Sequence, residues 1–338
     1  MQHCATVDRM KKLCPITAAM GLLIPGWILA GETQTPETLD QFQQFLEESL
    51  HKEPAGQEDV KLFHDRENSF WNNHLKDYLA DPLRYQSLLT IYHKVQDLYG
   101  HDGSVLNLDR YKTDIEAFRR WDSKSTTPKN AILFVGSSSI VLWQTSDAFV
   151  SYPIINRGFG GSTLLELDHF YNDVISKYAP AVIVIYCDND VYMGQGPTTA
   201  LERFEALSSR IEQDLPKTRV MFLSIKPTPT DDLYGKDVRH NAVVTNKLIK
   251  DFIATQKNAR FVDVATPMFR DGKLRSGLFL PDGMHLNAEG YRLWNSVVAK
   301  PLADLYAQYT TDVRESAPDL TGCTGKRPAG IARDMSTR

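Results

Sequence analysis

The sequence is poor in cysteine, with four in 338 residues, and two of these, Cys4 and Cys14, lie close to the amino terminus. Only Cys187 and Cys323 remain beyond it, so at most one disulfide can form there and a disulfide-built scaffold is excluded. No Cys/His cluster has zinc spacing. Positive charge is not concentrated either: the net charge is −4 and no basic stripe stands out, which argues against a nucleic-acid partner. Internal repeats are absent. "GFGG" at 158–161 lacks the spacing of a dinucleotide loop. The GxSxG elbow is missing too, because Ile140 stands where its last glycine belongs.

The one long apolar run is Leu13 to Ala30, preceded by Lys11 and Lys12 and followed by polar residues. That layout predicts a secretory signal over residues 1–31, with Met10 as the effective start and cleavage after Ala30 or Gly31. Pro15, Pro25 and Gly26 weaken the alternative of a membrane anchor. The expected location is therefore secreted or periplasmic, with no stable membrane insertion after cleavage. Oligomeric state is left open.

Residues 32–125 carry no strand signals. Apolar and aromatic residues recur there at three- and four-residue spacing, which predicts a helical extension. Its first helix starts near Thr35 or Thr38, and Gly100 closes a later one. The aromatic residues Phe63, Phe70, Trp71, Tyr78, Tyr85, Tyr92 and Tyr99 are expected to form its core. The pattern changes over 126–311. "NAILFVG", "YPIIN", "PAVIVIYC", "RVMFLSI" and "ARFVDV" read as strands that alternate with helical stretches, among them a single helix over "STLLELDHFYNDVISKY". Continuous apolar strands separated by helices predict a three-layer α/β/α fold on a five-stranded parallel, flavodoxin-like sheet. The tail 312–338 is polar and rich in Pro and Gly, and is expected to be loosely ordered.

In such a sheet, ligands bind outside the carboxyl ends of the strands. Those ends carry "GSSS", "NRGFGGS" and "CDND", and the loop after the last strand carries "LPDGMHLN". A serine hydroxyl attacks a carbonyl only when a base takes its proton. A histidine does this when a carboxylate fixes its tautomer. Asp282 and His285 can share one turn, leaving one ring nitrogen for the carboxylate and the other for a serine. Glycines at 158, 160 and 161 let a backbone amide approach a substrate, and Asn189 offers a side-chain amide. The bland readings are a helix N-cap for the serines and a simple turn for Asp282. Lys226 is either a pocket residue or part of a Pro-fixed loop. Trp143 is either a pocket wall or a cover for the following helix.

Together, "FVGSSSI", "NRGFGGST", "CDND" and "DGMH" resemble, in order, the motif blocks of the SGNH hydrolases, also called GDSL esterases and lipases. The resemblance runs over residues 130–305 and looks closest to the branch related to platelet-activating-factor acetylhydrolase, where "GSSSI" followed by Trp replaces Gly-Asp-Ser-Leu. It implies Ser138 as nucleophile, His285 as base and Asp282 as its orienter. It implies an oxyanion hole from the Ser138 and Gly161 amides and the Asn189 side chain, with no metal or organic cofactor. Ser137 replaces the family's usual aspartate. Cys187 replaces a frequent glycine, which bears on substrate size. The implied activity is that of an exported serine esterase acting on short acyl, above all acetyl, esters of small molecules or glycans. A lysophospholipase or thioesterase, a glycan O-acyltransferase and a non-catalytic binding module are the alternatives.

Overall fold

A computed structural model of the chain describes residues 36–52, 54, 56–99 and 108–315. The predicted signal segment with Met10, Cys4 and Cys14 lies outside the described residues, as do Thr35, Gly100 and Cys323. In chain order the elements are α1 (Leu39–Leu50), α2 (Gln57–Ala80), α3 (Gln86–Tyr99), α4 (Lys112–Asp122), β1 (Ile132–Gly136), α5 (Ser138–Val141), α6 (Thr145–Ala148), β2 (Ile154–Gly158), α7 (Leu164–His169), α8 (Tyr171–Val174), β3 (Val182–Tyr186), α9 (Asn189–Tyr192), α10 (Pro197–Asp214), β4 (Arg219–Leu223), α11 (Val238–Ile253), β5 (Ala259–Val262), β6 (Phe269–Arg270), β7 (Lys273–Leu274) and α12 (Ala288–Glu315).

The five-stranded sheet is parallel throughout in the order β2-β1-β3-β4-β5, which is the flavodoxin-like arrangement. Both faces are covered, so its central strands are apolar on both sides. Leu133 and Val135 of β1 join one core with Leu164, Leu167, Phe204 and Ile249 from α7, α10 and α11. Ile132 and Phe134 point the other way, into a core with Ile140, Trp143, Trp294 and Val298. That second core settles Trp143: it is 2% exposed, stacks on Tyr291 and donates its indole N–H to Asn295 Oδ1 at 2.7 Å, so it covers the core behind α5.

The helical extension does two different things. α1 to α3 build their own aromatic core, in which Phe42, Phe63, Phe70, Trp71, Tyr78, Tyr85, Tyr92 and Tyr99 are all buried, together with Leu233 from the loop after β4. Thr38 caps α1 through a reciprocal capping box with Gln41. α4 instead packs on the sheet's own helical layer through Ile115, with Tyr111 just ahead of it.

Three features depart from the expectations. The stretch expected as one helix from Ser162 breaks into α7, α8 and a 3₁₀ turn at Ser176–Tyr178. The Arg210 guanidinium takes the Asp168 carbonyl at 2.9 Å, a group that a continuing helix would need. A short antiparallel hairpin, β6–β7, precedes the last loop and carries no alternation long enough to read. α12 runs through residues 312–315, so the helix enters the stretch expected as a loose tail, whose remainder lies outside the described residues. No helix among the described residues is long and apolar enough to cross a membrane.

Candidate active site

Gly136 ends β1 with φ 135°, and a Cβ there would collide with the Tyr186 carbonyl oxygen of the neighbouring strand. Only glycine can hold this backbone so close to β3. The chain then turns at once into α5, and its three serines separate. Ser137 and Ser139 are wholly buried, whereas Ser138, the first residue of α5, is partly open to solvent. Ser137 occupies the N-cap position yet caps nothing: its hydroxyl donates to Asp188 Oδ1 at 2.7 Å. Ser139 Oγ has no hydrogen-bond partner among the described residues. Ser138 Oγ lies 2.9 Å from His285 Nε2, bridging a sequence separation of 147 residues.

His285 sits in a tight loop after β7. Its carbonyl accepts from the Leu280 amide at 2.7 Å, and the Gly283 amide reaches the Leu280 carbonyl at 2.9 Å. Gly283 adopts φ 66°, where its missing side chain makes room for Leu79 of α2 and Thr230. Asp282 Oδ2 faces His285 Nδ1 at 2.8 Å, while Oδ1 accepts the Met284 and His285 amides, each at 2.9 Å. Burial pushes the Asp282 carboxyl up, but the His285 hydrogen bond and charge and the two backbone amides outweigh it and leave the pKa lowered. An ionised Asp282 accepts the Nδ1 proton and leaves Nε2 as the basic nitrogen toward Ser138.

Gly161 lies in the loop after β2. Phe159 donates its amide to the Gly136 carbonyl at 2.9 Å, and Ser162 donates back to the Phe159 carbonyl at 3.3 Å. With Gly161 at φ 78°, Phe159 to Ser162 form a type II turn. Asn189, at the start of α9, donates Nδ2 to the Ser162 carbonyl at 3.0 Å, leaving its second amide hydrogen unused by this bond. Neither the Ser138 nor the Gly161 amide hydrogen has an acceptor among the described residues. The strand ends are thus tied in series: Ser137 to Asp188, and Asn189, next in the chain, to the turn that presents Gly161.

Beneath this surface lies a buried ion pair that sequence reasoning had left undecided. Lys226 is 1% exposed and donates Nζ to Asp188 Oδ2 at 3.0 Å and to the Tyr186 hydroxyl at 3.2 Å. It therefore supports the floor of the site and does not line a pocket. Burial raises the Asp188 pKa, and the Lys226 charge with the Ser137, Tyr186 and Lys226 hydrogen bonds more than reverses that. Asp190 holds the α7 N-terminus through the Leu164 amide at 2.9 Å and pairs with Arg203 at 2.8 Å. Cys187 is a buried free thiol, its pKa pushed well up by burial and by the nearby Asp190 and Asp188 charges. Among the described residues no group of three or more His, Cys, Asp or Glu is placed to hold a metal ion.

Residues 143–293 match the GDSL-like lipase/acylhydrolase family. The chain carries a domain of this family. The match begins just past Ser138 and includes Gly161, Asn189, Asp282 and His285. Among solved structures, the GDSL-domain fold is similar to a Streptococcus pneumonia protein provisionally named a platelet activating factor, at 22% identity, 58% of this chain, 94% of that chain and a TM-score of 0.53. A GDSL-like lipase from Bacteroides thetaiotaomicron matches at 19% identity over 59% of this chain and 98% of its own, with a TM-score of 0.48. An acetyl-xylooligosaccharide esterase from Geobacillus stearothermophilus matches at 13% identity, 52% and 94% coverage and a TM-score of 0.43. No curated protein matches the chain.

The sequence-selected residues Ser138, Asp282 and His285 come together. Gly161 and Asn189 meet around Ser162. Tyr111, Arg110 and Leu79, which also reach these loops, had no signal in the sequence beyond helical spacing.

Proposed function

We propose that the GDSL domain is a serine esterase. Ser138 Oγ attacks the ester carbonyl carbon as its proton passes to His285 Nε2. The carbonyl electrons move onto oxygen, where the Ser138 and Gly161 amides and the Asn189 side chain stabilise the charge. Collapse expels the alcohol, which takes the proton from His285. Water, activated by the same imidazole, then attacks the acyl-Ser138 ester and frees the acid. Asp282 holds the ring's tautomer throughout.

The observation that carries this reading is the continuous pairing from Ser138 Oγ to His285 Nε2 at 2.9 Å and from His285 Nδ1 to Asp282 at 2.8 Å. The substrate we propose is a short acyl ester, acetyl first, of a small molecule or glycan, since the segments between the motif blocks are polar or amphipathic. Export follows from the lysine pair and apolar run after Met10; amino-terminal sequencing of protein from the culture medium or periplasm tests it.

The deciding experiment is a panel of p-nitrophenyl esters from acetate to palmitate, run beside acetylated xylan and a lysophospholipid. The expected result is fastest turnover on acetate, with Ser138→Ala and His285→Ala each lowering kcat by about 10³-fold or more. A fluorophosphonate probe should label the wild type at Ser138. Absence of both labelling and turnover would refute the assignment, and acyl transfer to an oligosaccharide exceeding hydrolysis would redirect it to an acyltransferase.

A further inference from the structure

The turn that presents the Gly161 amide is held from outside the GDSL domain. Tyr111, at the end of the 3₁₀ turn Leu108–Tyr111, donates its hydroxyl to the Gly161 carbonyl at 2.8 Å across 50 residues of sequence. The Tyr111 side chain is 2% exposed, and its ring meets Phe159 edge-on at 5.1 Å. The neighbouring Arg110 guanidinium lies against the Gly161 α-carbon, so that a Cβ there would collide with it, and also packs over the Tyr111 ring.

The geometry of the turn makes this contact consequential. The Phe159 amide is fixed by Gly136, and the Gly161–Ser162 peptide is fixed at both ends, its N–H on Phe159 and its carbonyl on Tyr111. Between these anchors the Gly160–Gly161 peptide carries the N–H assigned to the oxyanion. A peptide flanked by two glycines resists rotation weakly, and rotation between the type II and type I forms turns that N–H to the opposite face. A donor serves the transition state only when it is aimed in advance.

We propose that Tyr111 is a positioning residue for acyl transfer: its bond to the Gly161 carbonyl aims the Gly161 amide at the developing oxyanion, making the helical extension part of the active site. This rests on the esterase reading above. Losing the hydroxyl leaves a buried carbonyl unpaired and one leg of the turn loose, while Ser138, His285 and Asp282 keep their contacts.

The test compares p-nitrophenyl acetate with its thiono analogue in the wild type, Tyr111→Phe and Ser138→Ala. Sulfur accepts hydrogen bonds poorly, so an enzyme with an aimed oxyanion hole discriminates against the thionoester. The ratio of the two kcat/KM values is independent of the folded fraction. Tyr111→Phe is expected to lower kcat on the oxoester about tenfold with KM within about twofold, and to shrink the oxo/thiono ratio by a similar factor, because only a transition-state contact is weakened. The pH profile of kcat/KM should keep its midpoint. p-Aminophenylalanine at position 111 restores a donor and should restore the ratio; it also serves if the phenylalanine variant does not fold. An unchanged ratio in Tyr111→Phe, with an active wild type, overturns this inference alone. A wild type without turnover, or Ser138→Ala with full turnover, overturns the esterase reading and this inference with it.

Discussion

Ser137, Ser138 and Ser139 share a chemistry and differ only in surroundings, which separates their expected effects. Ser137→Ala removes a donor from the buried Asp188 carboxylate and should cost about 1–3 kcal/mol in urea unfolding. Ser139→Ala should change stability by less than about 0.5 kcal/mol, because its hydroxyl has no partner among the described residues. Asp282 adds a pH dependence. Its folded pKa is lowered, so its ionised contacts stabilise the fold above the unfolded value near about 3.9 and are lost as pH falls through the lower folded value. The stability difference between wild type and Asp282→Asn should be level above about pH 5 and shrink below about pH 4, while the variant's kcat is reduced about 10³-fold or more at pH 7. The pairing Ser138–His285–Asp282 was legible in the sequence because nucleophile, base and orienter each need a specific side chain. Lys226 and Tyr111 were not: a lysine beside prolines and a tyrosine in a helical pattern have many commoner uses.

At the level of elements, the strands were read to within a few residues, since continuous apolar runs of Val, Ile and Phe admit few other structures. The broken helix after Thr163 was not, because what ends it is Arg210, far along the chain, seizing the Asp168 carbonyl. The β4 exit carries its own test. Lys226→Met leaves Asp188 as a buried charge without its cation and should cost about 3–5 kcal/mol at pH 7. Without Lys226 the Asp188 pKa moves above its unfolded value, so the loss should lessen as pH falls and the carboxyl takes up a proton. Urea unfolding across pH 4 to 8 measures it; a loss that does not vary with pH would contradict the pairing.

Across the whole molecule, the extension and the GDSL domain are interlocked at both catalytic loops. α1 to α3 enclose Leu233, while Tyr92 and Gln96 donate to its carbonyl at 3.3 and 3.2 Å and His93 Nε2 meets the Asp232 carbonyl at 2.6 Å. Leu79 abuts Gly283 on the acid–base loop, and Tyr111 holds Gly161 on the other side. Leu233→Ala should cost about 2–5 kcal/mol and also lower kcat, as it loosens the loop beside Gly283. Chemical denaturation with parallel kinetics on folded protein would show whether the two effects travel together. The sequence signalled a helical segment here but not its docking, because docking depends on single side chains reaching across the fold.

The 147-residue gap between Ser138 and His285 also sets a clock. A ribosome adding about 5–20 residues per second needs roughly 7–30 s to make the second after the first. The hydroxyl emerges long before the imidazole that activates it, and α12, which buttresses both through Tyr291 and Trp294, comes last. A nascent or partly threaded chain is therefore chemically silent, and hydrolysis can begin only once synthesis and folding have delivered the carboxyl-terminal part.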